Sequence, residues 1–185
     1  MDNTNNTPID YRLSSKIFNI LTKGQIINKT IYDKNKNEVV DNILFQEIIR
    51  NLDKYKEQYK RCGMELSFNG NYCYLMENVK DKEPIKTKIY VGIILLVRFS
   101  SHYISKNKTY IFDHNYGIKR EDLKELSEIE DFKNIIKASQ FSNIEAVVDL
   151  LCDRNILEEN ADGRYFLTDA GKAIVNDIIA SEKNN

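Results

Sequence analysis

Residues 41–76 read DNILFQEIIRNLDKYKEQYKRCGMELSFNGNYCYLM, and two different periodicities follow one another within them. Leu44, Ile48, Leu52, Tyr55, Tyr59 and Cys62 recur every three or four residues, which places them on one stripe of a long helix. Gly63 ends that helix, because glycine adopts the left-handed conformation of a helix end without steric cost. Beyond it Leu66, Phe68, Tyr72 and Tyr74 alternate with polar residues around Asn69-Gly70. That dipeptide favours a two-residue hairpin turn, whose central residues both need positive φ.

The same order of elements returns between Ser142 and Leu167. Ser142-Asn-Ile-Glu145 has the spacing of a capping box, in which the hydroxyl caps the helix and the glutamate reaches back. Ile144, Val147, Val148 and Leu151 form the apolar face that follows, and Arg154-Asn155 ends it. Asn155 to Leu167 then folds back as a second hairpin with Asn160-Ala-Asp-Gly163 at its tip. Helix then hairpin, twice, is the pattern of tandem winged-helix domains. The fold class expected is mainly α with small β-hairpins (α+β).

Working outward, residues 1–8 are polar and asparagine-rich and read as a disordered arm. Leu13, Ile17, Ile20 and Leu21 mark a first helix ending at Lys23-Gly24. Gln25 to Tyr32 reads as a short strand or extended segment, and 33–38 as a charged loop. These pieces complete an amino-terminal winged-helix domain over 9–80. The apolar-poor linker 78–83, closed by Pro84, marks the boundary with a carboxy-terminal winged-helix domain over 84–181. That second domain opens with a helix from about Lys86 to Tyr103, apolar on nearly every side and therefore expected to be buried. A loop at 106–108, a short strand at 109–112 and helices at 120–126 and 131–138 follow. Thr168-Asp-Ala-Gly171 caps a last helix, and the tail at 182–185 frays.

Composition narrows the function classes. The 185 residues are 42% hydrophobic, enough for a packed core, with 27 basic and 28 acidic residues and a net charge of −1. The whole chain is thus no electrostatic magnet for phosphate or membrane, and nucleic-acid contact requires a local patch. The longest apolar run, 89–97, is less than half of the roughly 20 residues that cross a bilayer, and the polar start shows no signal peptide. Cys62, Cys73 and Cys152 lack CxxC spacing, and Cys62 and Cys152 fall on apolar helix faces, which indicates reduced thiols and a cytoplasmic setting.

No glycine-rich phosphate loop, HExxH or metal-spaced acidic cluster occurs, so no cofactor, metal or catalytic residue is assigned. His102 and His114 have no neighbour in sequence that would orient an imidazole as base or ligand. The candidate site is basic. Arg50, Lys54 and Arg61 share a face of the long helix away from its apolar stripe, where such helices meet DNA phosphates. Asp53 and Glu57 interleave with them, so a solvated face with i,i+4 pairs is the competing reading. Lys119 and Arg120 precede a short helix, and Arg154 and Arg164 flank the second hairpin, which also carries Glu158, Glu159 and Asp162. Tyr72 and Tyr74 are assigned to packing beneath a hairpin or to a partner or dimer contact rather than to base stacking.

Three stretches carry a family resemblance: Ile20-Leu-Thr-Lys-Gly24; Leu44-Phe45 leading into Tyr59-x-x-x-Gly63-x-Glu65-Leu66; and Gly70-Asn-Tyr72-Cys-Tyr74-Leu75. From Ser15 to Ile179 the chain resembles the MksE/MukE type of KITE protein, the kleisin-interacting tandem winged-helix subunits of bacterial SMC complexes, including the Wadjet plasmid-defence branch. The resemblance implies a non-catalytic subunit that dimerises through its amino-terminal winged helix and grips an MksF/MukF-like kleisin. It further implies partnership with an MksB/MukB-like SMC ATPase and double-stranded DNA in the nucleoid, for chromosome condensation and partition or for plasmid defence. A dimeric winged-helix transcriptional regulator is the alternative, and it would need a basic helix able to read base edges by itself.

Overall fold

The structure, a computed structural model, describes residues 8–77, 83–103 and 110–183. Residues 1–7 of the expected arm, the loop at 106–108, residues 78–82 of the linker and residues 184–185 of the expected tail lie outside them. The fold is α+β: helices joined by small antiparallel sheets.

Asp10 accepts from the Arg12 and Leu13 amides and starts α1 (Tyr11–Thr22), which turns Ile17 and Leu21 inward. β1 (Ile27–Asn28) follows. β2 (Thr30–Asp33) and β3 (Glu38–Asp41) then pair as a hairpin around the charged turn. Sequence reading missed this hairpin because β3 buries none of its side chains fully, leaving no apolar alternation to detect.

The single long helix expected between 41 and 62 is two helices, α2 (Ile43–Arg50) and α3 (Leu52–Arg61). Asn51 parts them at φ −125°, its amide shared between the Glu47 and Ile48 carbonyls. The break lies in a buried polar knot. Glu47 Oε1 accepts from Asn51 Nδ2 at 3.1 Å and from the Asp10 amide at 3.2 Å. A buried carboxylate without such donors would be costly, so local backbone regularity yields to their satisfaction.

β4 (Met64–Phe68) and β5 (Tyr72–Glu77) form the expected hairpin, and β1 joins its far side to give the order β1-β5-β4. Its turn is wider than two residues. Only Gly70 has positive φ, at 92°, while Asn69 Oδ1 holds the Asn71 and Tyr72 amides at 3.1 Å each. Tyr55, Tyr59, Phe45, Ile48 and Leu66 fill the core between helices and sheet. Cys62 departs from the expected apolar face: it caps α3 and is exposed.

The second unit is built around α4 (Glu83–Tyr103), which begins one residue before Pro84, so Glu83 belongs to helix rather than linker. Ile93, Leu95, Leu96 and Phe99 are buried, whereas Tyr90 and Ile94 are 43% and 48% exposed. The helix is therefore not covered on every side. Tyr110–Phe112 is a 3₁₀ turn instead of a strand, because the Tyr110 carbonyl accepts from both the Asp113 and Gly117 amides.

β6 (Ile118–Lys119), α5 (Arg120–Ser127), α6 (Glu130–Ala138) and α7 (Ile144–Asp153) follow. Asn143, not Ser142, caps α7, taking the Ala146 amide at 2.9 Å. β7 (Leu157–Glu159) and β8 (Arg164–Leu167) make the second hairpin, with β6 on its outer side in the order β6-β8-β7. α8 (Asp169–Lys183) closes the chain.

Candidate nucleic-acid interface and the contact between units

The basic residues singled out by sequence fall in separate places. Arg50 ends α2, beyond the break from the helix that carries Lys54 and Arg61. Lys54 and Arg61 line an open groove with Ile9, Glu57, Gln58 and Cys62. Arg61 pairs there with Glu57 one turn earlier, so the groove is mixed in charge.

On the second unit, β6 and β8 place Lys119 directly opposite Arg164. Gly117 makes that approach possible. At φ +57° it holds a conformation other residues rarely adopt, and an added Cβ would lie 2.8 Å from Arg164 Cβ and 2.9 Å from the Tyr165 carbonyl. Like charges directly opposite on a sheet repel. No ion pair joins either one to an acidic side chain among the described residues, and Lys119 is exposed. The pair therefore offers two unneutralised cations to an anionic partner.

Arg120, next in sequence, is turned away from them. Its Nε donates to Tyr165 Oη at 3.0 Å, and Nη2 lies 3.3 Å from Asp149.

Arg154 lies at the boundary between the units. Its Nη1 donates to the Lys23 carbonyl at 2.7 Å, supplying a cation to the carboxyl end of α1. Its own carbonyl accepts from the Ile26 amide at 3.1 Å. Two asparagines continue the contact. Asn28 Nδ2 donates to the Asn155 carbonyl and Asn155 Nδ2 to the Ile26 carbonyl, each at 2.8 Å, while Asn28 Oδ1 accepts the Ala170 amide at 2.9 Å. Asn155 holds φ +56°, a left-handed conformation that asparagine tolerates at a helix end. Only the helix-ending role of Asn155 was legible beforehand. A polar Asn28 amid Ile26, Ile27 and Ile31 was the one available sign of a distant partner.

Tyr72 is buried on β5 with its ring stacked on Tyr74 at 6.0 Å. Burial raises its hydroxyl pKa above the ordinary tyrosine value, with Tyr74, Asp177 and Tyr90 adding to the rise. The last two come from α8 and α4.

Burial pushes the Cys73 and Cys152 thiols up to about 12, which disfavours the nucleophilic thiolate. No cluster of three or more His, Cys, Asp or Glu side chains suited to a metal occurs among the described residues. His114 sits against the Tyr32 and Phe166 rings, 3.7 Å from Asp113. No helix among the described residues is long and apolar enough to cross a membrane.

A family model described as condensin complex protein MksE matches residues 12–179. The chain belongs to the MksE family. The match spans both units of this MksE-family chain, and the resemblance drawn from its three motifs therefore holds. No curated protein matches the chain. Membership of the MksE family assigns it to a condensin complex as a subunit.

Proposed function

We propose that this MksE-family chain is a non-catalytic KITE subunit. It folds as two winged-helix domains, binds the kleisin of its complex, and helps hold double-stranded DNA at the heads of the SMC ATPase. The observation that carries the reading is the family match across both units. The geometry supports it in three ways. Each unit couples helices to a three-stranded sheet over its own hydrophobic cluster, which is compatible with a winged helix. Lys119 and Arg164 provide the best local site for a DNA backbone, since neutralising phosphates releases counterions. On α1, Tyr11 and Phe18 share an outward stripe and are 88% and 44% exposed, which suits a homodimer contact of the amino-terminal unit.

The complex would act in the nucleoid, in chromosome condensation and partition or in plasmid defence. Affinity purification of the tagged full-length chain from its native host tests the proposal. Recovery of a kleisin and an SMC ATPase is expected. Tight binding of one operator sequence by the isolated chain at physiological salt, with neither partner recovered, would favour a transcription regulator instead.

A further inference from the structure

The β2–β3 hairpin belongs by sequence to the first unit but is fastened to the second. β3 covers one edge of β2, and the other edge faces the second unit. There Asp169 Oδ2 accepts from the Thr30 amide at 2.9 Å and the Thr30 hydroxyl at 2.8 Å. Glu158 Oε2 accepts from the Tyr32 amide at 3.1 Å, and Glu159 Oε2 pairs with Lys34 Nζ at 2.9 Å. Thr30 and Tyr32 are alternate positions of β2, so two carboxylates follow the period of the strand and occupy acceptor positions that a neighbouring strand's carbonyls would fill, with the Lys34 pair just past the strand's end. The Tyr32 ring meets Phe166 edge-on at 5.7 Å and lies 5.9 Å from His114, adding an apolar anchor.

We propose that the β2–β3 hairpin is a strap that fixes the angle between the two units, its β2 edge closed by side-chain carboxylates of the second unit in place of a paired strand. This goes beyond subunit membership and does not depend on which partners the chain has. The strap adjoins the buried Asn28–Asn155 contact at Thr30, beside the Ala170 amide held by Asn28, and carries the seam outward through Tyr32 to Lys34. The contacts at Lys23, Ile26 and Asn28 cluster around Arg154, Asn155 and Ala170, and attachments running on along β2 lengthen that seam and so resist turning of one unit about it. The closed edge also leaves β2 no unpaired amides at Thr30 and Tyr32 to recruit another chain.

Two readouts on the full chain test the strap. Spin labels at Lys56→Cys on α3 and Lys137→Cys on α6, with Cys62 and Cys152 changed to Ser, report the distance between units. Amide exchange reports the edge itself. In the parent, one narrow distance distribution and slow exchange at Thr30 and Tyr32 are expected. In Glu158→Ala/Asp169→Ala, those two amides exchange about ten- to a hundredfold faster, those of Ile31 and Asp33, which face β3, stay protected, and the distribution broadens. Glu158→Gln/Asp169→Asn, which keeps side-chain shape, gives the same changes in smaller measure and serves if the alanine variant does not fold. A parent distribution that is already broad overturns the proposal. So does a distribution that stays narrow after the two amides have been freed, or exchange at those amides that neither variant accelerates.

Discussion

Asn28 and Asn155 lie 127 positions apart in sequence, yet the Asn28 side chain donates to the Asn155 carbonyl at 2.8 Å in the seam between the two units. The same Asn28 side chain accepts the Ala170 amide, and it is only 2% exposed. Replacing Asn28 by Leu keeps its bulk but leaves the buried Ala170 N–H without its side-chain partner. A loss of about 1–3 kcal/mol in urea unfolding is expected. Asn19→Ala, on the exposed face of α1, should change stability by no more than about 0.5 kcal/mol.

Gly171 sets how closely α8 approaches the second hairpin. An added Cβ would stand 2.6 Å from the Ile156 carbonyl oxygen and 2.8 Å from Leu167 Cδ2, and the first of these is backbone that cannot swing aside. Gly171→Ala is therefore expected to destabilise the chain by about 1–3 kcal/mol despite alanine's better helix propensity. Thermal or urea unfolding measures it.

The Glu158 carboxyl has its pKa raised by burial, and Asp169 adds to the rise, while the Tyr32 amide and Lys172 oppose it. Between the unfolded value and the raised folded value, the folded chain binds more protons than the unfolded one. Its contribution to stability is thus full at low pH and declines as pH rises through the folded pKa. Urea midpoints taken across about pH 4 to 7 should show this decline, and Glu158→Gln should remove that part of the pH dependence.

Lys119 and Arg164 make a prediction in which stability and binding move in opposite directions. Lys119→Glu converts a repelling cross-strand pair into an attracting one, and should stabilise the fold by about 0.2–1 kcal/mol. The same change should weaken DNA binding. Lys119→Ala should reduce the salt dependence of binding by about one phosphate contact, read as a shallower slope of affinity against salt. An unchanged slope would remove Lys119 from the interface.

Much of the fold was legible because its signals are local. The end of α1 at Lys23-Gly24, the apolar face of α7, and the turn at 160–163, where Asn160 Oδ1 holds the Asp162 and Arg164 amides, depend on neighbours within a few residues. The break at Asn51 was not legible, because its cause includes the Asp10 amide bound to Glu47 from 37 positions away. Of the candidate basic residues, sequence named Lys119 and Arg164 separately, but only the β6–β8 register shows them opposed. In sequence Glu158 is one of the acids of the second hairpin and Asp169 part of the cap of the last helix, and neither shows a partner until Thr30 and Tyr32 are brought to them.

The most direct test of the scaffold account is reconstitution of the purified chain with the kleisin of its own condensin complex, followed by light scattering on the eluting peak. The account expects a stable assembly containing both chains at a fixed ratio, formed without ATP. Elution of the two proteins separately, each at its own mass, would contradict it.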